Sequence, residues 1–550
     1  MITGIRPAGR LGLLLELASL DDVLALHQYL KANPLAGQID AVAAARTIMV
    51  TFSHRDHVRS ARQEVTALTD LEFTTGDSSS KTIEVVYDGE DLASLAETLQ
   101  MSTEALIAWH SGQKWRGAFG GFAPGFTYCT PLESAQAIPR RSSPRTQVPE
   151  KSVAVAGEFS AVYPRVSPGG WQLIGRTSAQ MWDLSREHPG LVAPGDTVEY
   201  VPVPAERLTL SSATEHSGGP EPDDAAEAQQ PQPGSSPGLS VEQPGMQLLI
   251  QDLGRPGYSD LGVSRAGVAD EAAARQANRL VGNPEDAAVL EALQGGAALR
   301  ATGTLVMAAT GAELPLSVTA EEGSTRNLQM RTPFVLTAGD LLQLGQADRG
   351  LRTVLAIRGG ITGQSELGSL SSDTMSGLGP AALSPGNTIT AGNAAGRNPV
   401  GEPEPSTLAS PDETGALTLR FTYGPREDWF EAAEQQRLAT QAWKVTQQAN
   451  RIGIRLEPAV TAEEGDQPRP LQRARNEELP SEGVARGSLQ MPPQGNPVLF
   501  LNDHPVTGGY PVIGVIIPQD LPAAAQLRPG ETLRLRPVDP DTLTPLTLGD

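Results

Sequence analysis

The feature that most constrains this fold is Ser211–Ser240, a stretch near the middle of the chain that almost lacks large apolar side chains. It reads SSATEHSGGPEPDDAAEAQQPQPGSSPGLS, in which five residues are acidic, none is basic, and Leu239 is the only aliphatic residue larger than alanine. Such a segment cannot bury enough apolar surface to offset the entropy cost of ordering it. The sequence therefore predicts a disordered acidic Pro/Gly linker over residues 211–240, with a folded half on either side.

The N-terminal half, residues 1–210, is predicted to hold two domains of different character. Residues 1–80 alternate strand candidates with helical stretches, and this order indicates a small α/β sandwich. The strand candidates are Leu11–Leu17 and Thr47–Phe52, and the helices run from Asp21 or Asp22 to about Lys31 and over about Val58–Leu68. Over residues 81–210 short strands and Gly/Pro turns dominate, with one helical period at Leu92–His110. This second pattern indicates a β-barrel domain.

The C-terminal half, over residues 241–545, consists mostly of short strand candidates separated by turns. Turns are expected to be frequent, because the chain contains 57 glycines and 45 prolines. The clearest helices are predicted at Asp270–Leu280 and near Trp429–Thr446, and exposed loops are expected at Gly396–Gly415 and Thr461–Glu478. This half is predicted to form two barrel-like subdomains. The fold class is therefore mostly β with additional α+β elements.

A repeated turn links the two halves. Pro168–Gly175 reads PGGWQLIG and Thr507–Gly514 reads TGGYPVIG, and both follow a pair of strand candidates. Each is followed later by one Pro-Gly turn and a strand candidate. These segments are Ala193–Tyr200 in the first half and Arg528–Leu535 in the second, and they resemble each other. Because three features recur in the same order, we interpret the halves as containing related β-barrel units. The alternative is a chance likeness between Gly-rich turns.

Charge and cysteine content exclude several classes of protein. The chain carries 64 acidic and 42 basic side chains, a formal charge of −22, which argues against binding to a nucleic-acid backbone. The single cysteine, Cys129, excludes an internal disulfide framework and a cysteine-based zinc site, and no metal site is expected. No apolar run is long enough to span a membrane, so a cytoplasmic protein is expected.

Glycine-rich loops beside aromatic and cationic residues are the candidate binding sites of the first half. Glycines let a backbone approach a ligand closely, and aromatic side chains form walls. A cleft is predicted between Gly121–Phe126, Gly169–Trp171 and Arg176, where backbone donors and the cation suit an anionic ligand. His110 is a further catalytic candidate, although a histidine at a helix C-terminus is often only structural. The predicted substrate-binding residues of this half are Gly121, Phe122, Pro124, Gly125, Phe126, Gly169, Gly170, Trp171 and Thr177.

In the second half an acid and a cation accompany tight turns within Gln251–Gly257. Asp252 and Arg255 are therefore catalytic candidates, with a purely structural pair as the alternative. A cleft related to that of the first half is predicted around these two residues and Thr507–Tyr510. The predicted substrate-binding residues of this half are Asn278, Thr507, Gly508, Gly509 and Tyr510.

The sequence lacks the motifs of several chemistries. The segment Gly76–Thr82 has no glycine before its lysine, so it is not interpreted as a phosphate-binding loop. None of the five lysines lies in a Met-Lys-Met setting, so no biotin is expected on this chain. The one G-x-S-x-G string, Gly234–Gly238, lies in the predicted linker, so no nucleophile elbow is expected either. A self-contained nucleotide hydrolase or serine amidase is therefore not expected.

Long, ordered strings of residues in both halves match known families. In the first half these strings are Tyr87–Leu92, His110, Gly121–Tyr128, Pro139–Arg140 and Ser167–Thr177. This half resembles the family of B-type 5-oxoprolinase subunits, which are also described as KipI-like or as allophanate hydrolase subunit 1. In the second half the strings are Gln251–Tyr258, Ala277–Asn283, Leu290–Glu291, Gly424–Arg426, Asn450–Leu456, Ser481–Gly483 and Thr507–Tyr510. This half resembles the family of C-type subunits, KipA-like or allophanate hydrolase subunit 2, so the chain resembles a fusion of both subunits.

The resemblance implies cyclophilin-like β-barrels in both halves and a fold similar to the carboxyltransferase domain of urea carboxylase. It implies a component of an ATP-dependent hydrolase that opens 5-oxo-L-proline to L-glutamate with a separate A-type subunit. ATP would be a substrate of the complex and would activate the lactam carbonyl by phosphorylation. Glycine-rich loops and Arg176 or Arg255 would hold the anionic substrate or phosphorylated intermediate.

Two alternatives to this function stay open. One is a carboxyltransferase-like component that acts on urea or a related amide, which would need a separate biotin carrier and carboxylase. The other is a KipI-type regulatory binder of a sensor kinase. One residue departs from the family pattern, since Leu370 stands where an arginine is usual. If that arginine contacts the ligand in the family, this chain has lost the contact, and the identity of its substrate stays open.

Overall fold

The computed structural model describes residues 1–68, 79–141, 145–208, 237–460 and 468–547. Strands dominate these residues, and the sheets form barrels and half-barrels, so the predicted mostly β fold with α+β elements is confirmed. The larger sheets enclose separate clusters of buried apolar side chains. Within the described residues, no helix has the length and apolar composition needed to cross a membrane.

The first 68 residues form an antiparallel sheet with two helices against it. The elements are β1 (Ile2–Pro7), β2 (Gly12–Leu17), α1 (Leu20–Ala32), β3 (Gln38–Ala43), β4 (Thr47–Phe52) and α2 (Arg55–Thr66). The strand order is β1-β2-β4-β3, and apolar residues of the sheet and both helices share one core. The predicted order of elements is present, but α1 begins earlier than expected. Its cap is Ser19, whose hydroxyl accepts the Asp22 N–H over 3.1 Å, so the aspartates lie in the first turn.

The next unit is a barrel with two short helices. Its elements are β5 (Ser80–Val85), α3 (Leu92–Thr98), α4 (Thr103–Ser111), β6 (Lys114–Gly121), β7 (Ala123–Pro131), β8 (Arg145–Val148), β9 (Ser152–Ala156), β10 (Phe159–Val162), β11 (Ser167–Gly169), β12 (Gln172–Arg176) and β13 (Thr197–Pro202). The main sheet has the order β12-β9-β10-β7-β6-β13-β5, and β8 pairs with β11. A bridge between Val86 and Arg176 joins the two edges and closes the sheet.

The helical period expected over Leu92–His110 belongs to two helices, α3 and α4. The chain between them cannot continue as one helix, because Gln100 has a positive φ of 56°. Ser102 then starts the second helix by accepting the Ala105 N–H over 3.2 Å.

The first part of the C-terminal half contains two sheets and one long helix. The elements are β14 (Gly238–Pro244), β15 (Leu248–Gln251), α5 (Glu271–Leu280), β16 (Val289–Leu293), β17 (Ala297–Ala301), β18 (Leu305–Glu313), β19 (Leu316–Thr319), β20 (Thr325–Leu328), β21 (Phe334–Leu336), β22 (Leu341–Leu344), β23 (Arg349–Ile357) and β24 (Thr388–Thr390). The strand orders are β20-β19-β22-β17-β14-β24 and β15-β16-β23-β18-β21. The predicted cap of α5 is present, since Asp270 accepts the Ala273 N–H over 2.9 Å.

The last part is a closed barrel. Its elements are β25 (Leu417–Tyr423), α6 (Ala432–Thr440), β26 (Ala442–Ala449), β27 (Gly453–Pro458), β28 (Glu482–Gly483), β29 (Ser488–Gln490), β30 (Val498–Phe500), β31 (Thr507–Gly508), β32 (Val512–Ile516), α7 (Leu521–Ala525) and β33 (Thr532–Pro537). The closed order is β25-β32-β29-β30-β27-β26-β33, and β28 pairs with β31. A helix was expected near Trp429–Thr446. Helix α6 occupies the first part of this range, but the prediction is wrong for the second part, which is strand β26. Trp443 and Val445 alternate into the barrel core there, so the period is that of a strand.

The predicted linker, residues 211–240, falls largely on residues 209–236, which lie outside the described residues. Its last residues belong to a strand, because β14 begins at Gly238 and pairs with both β17 and β24. Leu239 and Val241 point into the core from this strand. The alternating apolar pattern therefore starts inside the segment whose composition suggested disorder.

Candidate functional site

The glycine-rich turn of the first half is covered by the second half. Gly121 and Phe122 form the tight turn between β6 and β7, and Phe122 has a φ of 60°. The Phe122 N–H donates to Thr507 Oγ1 over 2.8 Å. A Cβ at Gly121 would lie 2.7 Å from the same oxygen, so a glycine is needed for this close approach. The structure thus brings two predicted binding segments, Gly121–Phe126 and Thr507–Tyr510, to one interface.

A cluster of aromatic rings lies behind this turn. Phe126 packs edge-to-face against Phe122, Tyr163 and Trp171, with ring centroids 5.1 to 5.3 Å apart. Three of these side chains are buried, and Phe122 is half-buried. The rings therefore form the core of the interface on the side of the first half.

The predicted turn Gly169–Trp171 holds the segment Pro139–Arg141 in place. The Gly170 carbonyl accepts the Arg141 N–H over 2.9 Å. This bond fixes the backbone of the segment at the edge of the interface. Two adjacent arginines, Arg140 and Arg141, consequently face the second half.

A cleft of about 740 Å³ lies between the two halves at this edge. The residues that line it include Arg140 and Arg141 from the first half and Arg469, Arg473, Gly509 and Tyr510 from the second. Two exposed acids, Glu477 and Glu478, also lie on the second wall. Four arginines and two acids thus line one cleft in a chain whose formal charge is −22. Those arginines that are not already paired suit an anionic ligand.

Two of these arginines are paired with carboxylates. Arg141 donates to Asp91, a buried acid that also accepts a bond of 2.8 Å from Arg145. Burial acts to raise the pKa of Asp91, but the bonds from the arginines and a backbone N–H outweigh it and lower the pKa. Arg469 binds both oxygens of Glu434. These two arginines therefore support the walls of the cleft.

The other two arginines, Arg140 and Arg473, have no carboxylate partner among the described residues. Arg140 donates to Ser481 Oγ over 3.2 Å and lies over Gly509, where an added Cβ would be 2.9 Å from its Cζ. Arg473 lies over the Tyr510 ring, with Cζ 5.6 Å from the ring centroid. Burial lowers the pKa of Arg473, against an opposing effect of Tyr510. Both guanidinium groups thus rest on consecutive residues of the repeated turn.

The catalytic candidate His110 lies in the core of the first barrel and away from the cleft lining. Its Nδ1 is 2.7 Å from the Tyr87 hydroxyl, and its Nε2 is 2.8 Å from Ser160 Oγ. Burial lowers the pKa of His110 to about 3, so the ring is neutral at pH 7. Both ring nitrogens are engaged within the protein.

The catalytic candidate Arg176 is also not among the residues that line the cleft. Its Nε donates to Asp88 over 2.9 Å at the surface, and its backbone makes the bridge that closes the barrel. The next predicted residue, Thr177, is buried and accepts the Ala179 N–H over 3.1 Å. The predicted residues Pro124 and Gly125 are buried within the first half.

Asp252 and Arg255 form part of a polar network in the second half, in which a buried terminal nitrogen of Arg255 has no hydrogen-bond partner within the described residues. Asp252 accepts the hydroxyls of Ser369 and Ser371 over 2.6 Å each and the Leu370 N–H over 2.7 Å. Arg255 is buried and donates to the Ser371 carbonyl. The position where the family usually has an arginine, Leu370, therefore lies beside Asp252 and not among the residues that line the cleft.

Asn278 and Gly508 complete the placement of the predicted residues. Asn278 lies in α5, donates to the Ala287 carbonyl over 2.8 Å and accepts a bond of 3.0 Å from Asn283. It fastens the end of the helix to the following turn. At Gly508 a Cβ would lie 2.5 Å from the side-chain nitrogen of Gln490, so this glycine permits close packing within the barrel.

A cluster of charges lies deep in the C-terminal half, away from the cleft lining. Arg451 binds Asp503 through two bonds of 2.9 Å and Glu291 through one of 2.6 Å. The three side chains are 2%, 0% and 4% exposed, respectively. Burial acts to lower the pKa of Arg451, but the two carboxylates outweigh it and raise the pKa. The cluster connects the barrel strands with strand β16.

Several arginines of the cleft carry no signal that would single them out in the sequence. Arg469 and Arg473 lie in a stretch that was predicted to be an exposed loop, and only Arg140 belongs to a string shared with the family. The adjacent pair Arg140–Arg141 after a proline is the one local hint. In the described ranges, no group of three or more His, Cys, Asp or Glu side chains is arranged to hold a metal ion.

Two family models match this chain. The model "Carboxyltransferase domain, subdomain C and D" matches residues 3–192, and "Carboxyltransferase domain, subdomain A and B" matches residues 261–537. The second match covers half of the chain. The two matches lie on opposite sides of the predicted linker.

Curated proteins and a solved structure are similar to the chain. The C-type subunit of 5-oxoprolinase from Escherichia coli strain K12 is 31% identical over 300 residues, which are 54% of this chain and 89% of that subunit. The B-type subunit of 5-oxoprolinase from Escherichia coli O157:H7 is 43% identical over 123 residues, 22% of this chain and 56% of that subunit. The match thus spans little more than half of the B-type relative. The crystal structure of the protein TTHA0988 has a TM-score of 0.76 and 30% identity, covering 95% of this chain and 99% of that one.

Proposed function

Because this chain belongs to the carboxyltransferase-domain family and joins its B-type and C-type units, we propose that it is a fused component of a 5-oxoprolinase. The complex opens 5-oxo-L-proline to L-glutamate with ATP. A separate A-type subunit acts together with this chain. The proposal places the complex in the cytoplasm, where ATP is available.

The arginine-lined cleft between the two halves is the observation that carries this proposal. Arg140 and Arg141 come from the B-type half, and Arg469 and Arg473 come from the C-type half. A ligand in this cleft touches both halves at once. Fusion of the two units in one chain keeps these walls together and removes the entropy cost of assembling them.

Hydrolysis of a lactam by this route passes through anionic species. 5-Oxo-L-proline carries a carboxylate, and transfer of phosphate from ATP to the lactam oxygen adds further negative charge while it activates the carbonyl carbon. Fixed cations and backbone N–H groups stabilise such charge without reorganising during the reaction. The arginines of the cleft supply the cations in this proposal, and ATP enters as a substrate of the complex.

Reconstitution of activity tests the proposed function. The purified chain is incubated with 5-oxo-L-proline and ATP, with and without a purified A-type subunit, and L-glutamate and ADP are measured. We expect turnover only with the A-type subunit. Robust turnover by the chain alone would contradict the need for a partner, and no turnover in any mixture would contradict the function.

The same assay discriminates the alternatives. Urea replaces 5-oxo-L-proline in a parallel mixture with ATP, bicarbonate, a biotinylated carrier and a biotin carboxylase, because a carboxyltransferase acting on urea takes its carboxyl group from carboxylated biotin. Carboxylation of urea without cleavage of 5-oxo-L-proline would replace the proposal with the amide alternative. Inhibition of a sensor kinase by a chain that is inactive in both mixtures would support the regulatory alternative.

A further inference from the structure

The four arginines of the cleft are not equivalent. Arg141 and Arg469 hold the carboxylates of Asp91 and Glu434, so their charges are already neutralised. Arg140 and Arg473 have no acid partner among the described residues, although they are only half-exposed. A half-exposed guanidinium without a carboxylate partner keeps its charge available for an anionic ligand.

The two unpaired arginines are held in fixed positions. Arg140 fits where Gly509 has no side chain, and Ser481 accepts one of its N–H groups. Arg473 stacks on Tyr510, and one of its terminal N–H groups donates to the Met491 carbonyl. Gly509 and Tyr510 are neighbours in the chain, so both guanidinium groups lie against the same turn in the wall of the cleft.

Hydrogen-bonding capacity remains at this turn. Arg140 donates one N–H to Ser481 Oγ, and Arg473 donates one to the Met491 carbonyl, so each guanidinium keeps N–H groups that no described residue accepts. A carboxylate or phosphate against this turn would accept them, because its geometry matches that of a guanidinium.

We propose that Arg140 and Arg473, one from each half, clamp a single anionic group of the ligand, a carboxylate or a phosphate, against the Gly509–Tyr510 turn. This proposal rests on the proposed function for the identity of the ligand, whereas the binding of an anion by the two arginines does not depend on it. It makes anion binding depend on contact between the two halves. The carboxylate of the substrate and a phosphate derived from ATP are the two sources of that group.

Direct binding measurements test the clamp independently of turnover. Isothermal titration calorimetry on the full chain uses 5-oxo-L-proline, inorganic phosphate and neutral 2-pyrrolidinone, a lactam without the carboxylate. The variants are Arg140→Gln, Arg473→Gln and the double variant. Arg300→Gln is the matched control, since it removes one positive charge from an exposed side chain that pairs with Glu242 elsewhere.

We expect each single variant to weaken binding of the clamped anion by about tenfold, and the double variant to abolish it, because each loses a charge-assisted bond. Affinity for 2-pyrrolidinone is expected to be the same in all variants. Loss of 5-oxo-L-proline binding alone identifies the carboxylate as the group, and loss of phosphate binding alone identifies the phosphate. An unchanged affinity of the double variant for both anions, or a wild-type chain that binds neither, would overturn the clamp.

A further variant displaces Arg140 without removing its charge. In Gly509→Ala the added methyl group must displace the Arg140 guanidinium, so anion binding is expected to weaken about as much as in Arg140→Gln. Gly190→Ala is the matched control, because a Cβ there meets an atom only at 3.6 Å. Normal anion affinity in folded Gly509→Ala would contradict the position assigned to Arg140.

The clamp and the proposed function fail in different ways. Arginine-dependent anion binding without turnover of 5-oxo-L-proline in the reconstituted complex would refute the function and leave the clamp standing. Turnover with normal anion affinity in the double variant would refute the clamp and leave the function standing.

Discussion

Two arginines of the second half, Arg451 and Arg473, have opposite environments. Arg451 is buried with two carboxylates that use all sides of its guanidinium, together with the Gly267 carbonyl. Arg473 lies at the cleft, stacked on an aromatic ring, with no carboxylate nearby among the described residues. The first arginine is complete without a ligand, whereas the second is not.

An arginine with a structural role and an arginine with a binding role therefore differ in their partners, although the residue type is the same. A buried charge that loses its partner destabilises the fold, because the remaining charges stay in a medium of low polarity. A half-exposed cation without a partner can be removed at little cost in stability, since water replaces its weak contacts. Unfolding and binding measurements on matched variants therefore test which group a residue belongs to.

The largest effect is expected at Arg451. Replacement by methionine leaves Asp503 buried without its cation and leaves Glu291 with only Arg352, 3.6 Å away, so the free energy of unfolding should fall by about 3–5 kcal/mol. Chemical denaturation measures this change. Arg455→Met, the same substitution at an exposed position of β27, is the control and should change stability by less than about 0.5 kcal/mol. Equal stability of the two variants would mean that the buried cluster is not structural.

A pH titration extends the comparison to a buried group of the first half. Burial lowers the pKa of His110 to about 3, from an ordinary value of 6.5. The contribution of neutral His110 is complete above pH 6.5 and is lost as the pH falls, because the unfolded chain then binds a proton that the folded chain excludes. By pH 5 the loss should reach about 2 kcal/mol.

The variant His110→Gln removes this titration. The stability difference between wild type and variant should therefore shrink by about 2 kcal/mol between about pH 7.5 and pH 5, as measured by chemical denaturation at each pH. His188→Gln, at an exposed position, controls for general acid effects. A constant difference across this range would show that His110 titrates normally in the folded protein.

A smaller effect is expected where the two halves meet at the glycine-rich turn. Thr507→Val removes the oxygen that accepts the Phe122 N–H and should lower the free energy of unfolding by about 1 kcal/mol. Thr507→Ser keeps the hydroxyl and should retain most of this stability. If valine lowered anion affinity without any loss of stability, Thr507 would belong with the binding residues.

The smallest effect on stability is expected at the clamp itself. Arg140→Gln and Arg473→Gln should leave the free energy of unfolding within about 0.5 kcal/mol of wild type, because neither breaks an ion pair within the described residues. Their effect on anion binding should be large at the same time. A fall of several kcal/mol in either variant would move that arginine into the structural group with Arg451.

Local elements were predictable where the apolar period was long and the caps were polar. Asp270 and the helix that follows it match their prediction, as does strand β4 at Thr47–Phe52. The prediction failed at Ala442–Ala449, where a helix-like composition joins a barrel strand. Besides its hairpin partner β27, the segment pairs with β33, which lies far along the chain, and pairing with a distant strand is not encoded locally.

The candidate site was predictable only in part. The two Gly-Gly-aromatic turns were expected to matter, and the structure places both beside the same cleft, where Gly170 fixes Arg141 and Gly509 accommodates Arg140. The cleft expected around Arg176 stays a prediction, and Arg176 itself pairs with Asp88 and does not line the cleft between the halves. The roles of Asp252, Arg255 and His110 as catalytic residues also stay predictions.

The sequence by itself determined the class of fold and the likeness of each half to a carboxyltransferase unit, because periodicity, turn residues and ordered motifs are local properties of the chain. Only the tertiary structure decided which arginines lack a carboxylate partner among the described residues. Arg140 and Arg473 are separated by hundreds of residues and by the predicted linker, and the packing of the two halves brings them to one cleft. Whether a charge is paired depends on distances across that packing, and no local pattern of residues contains them.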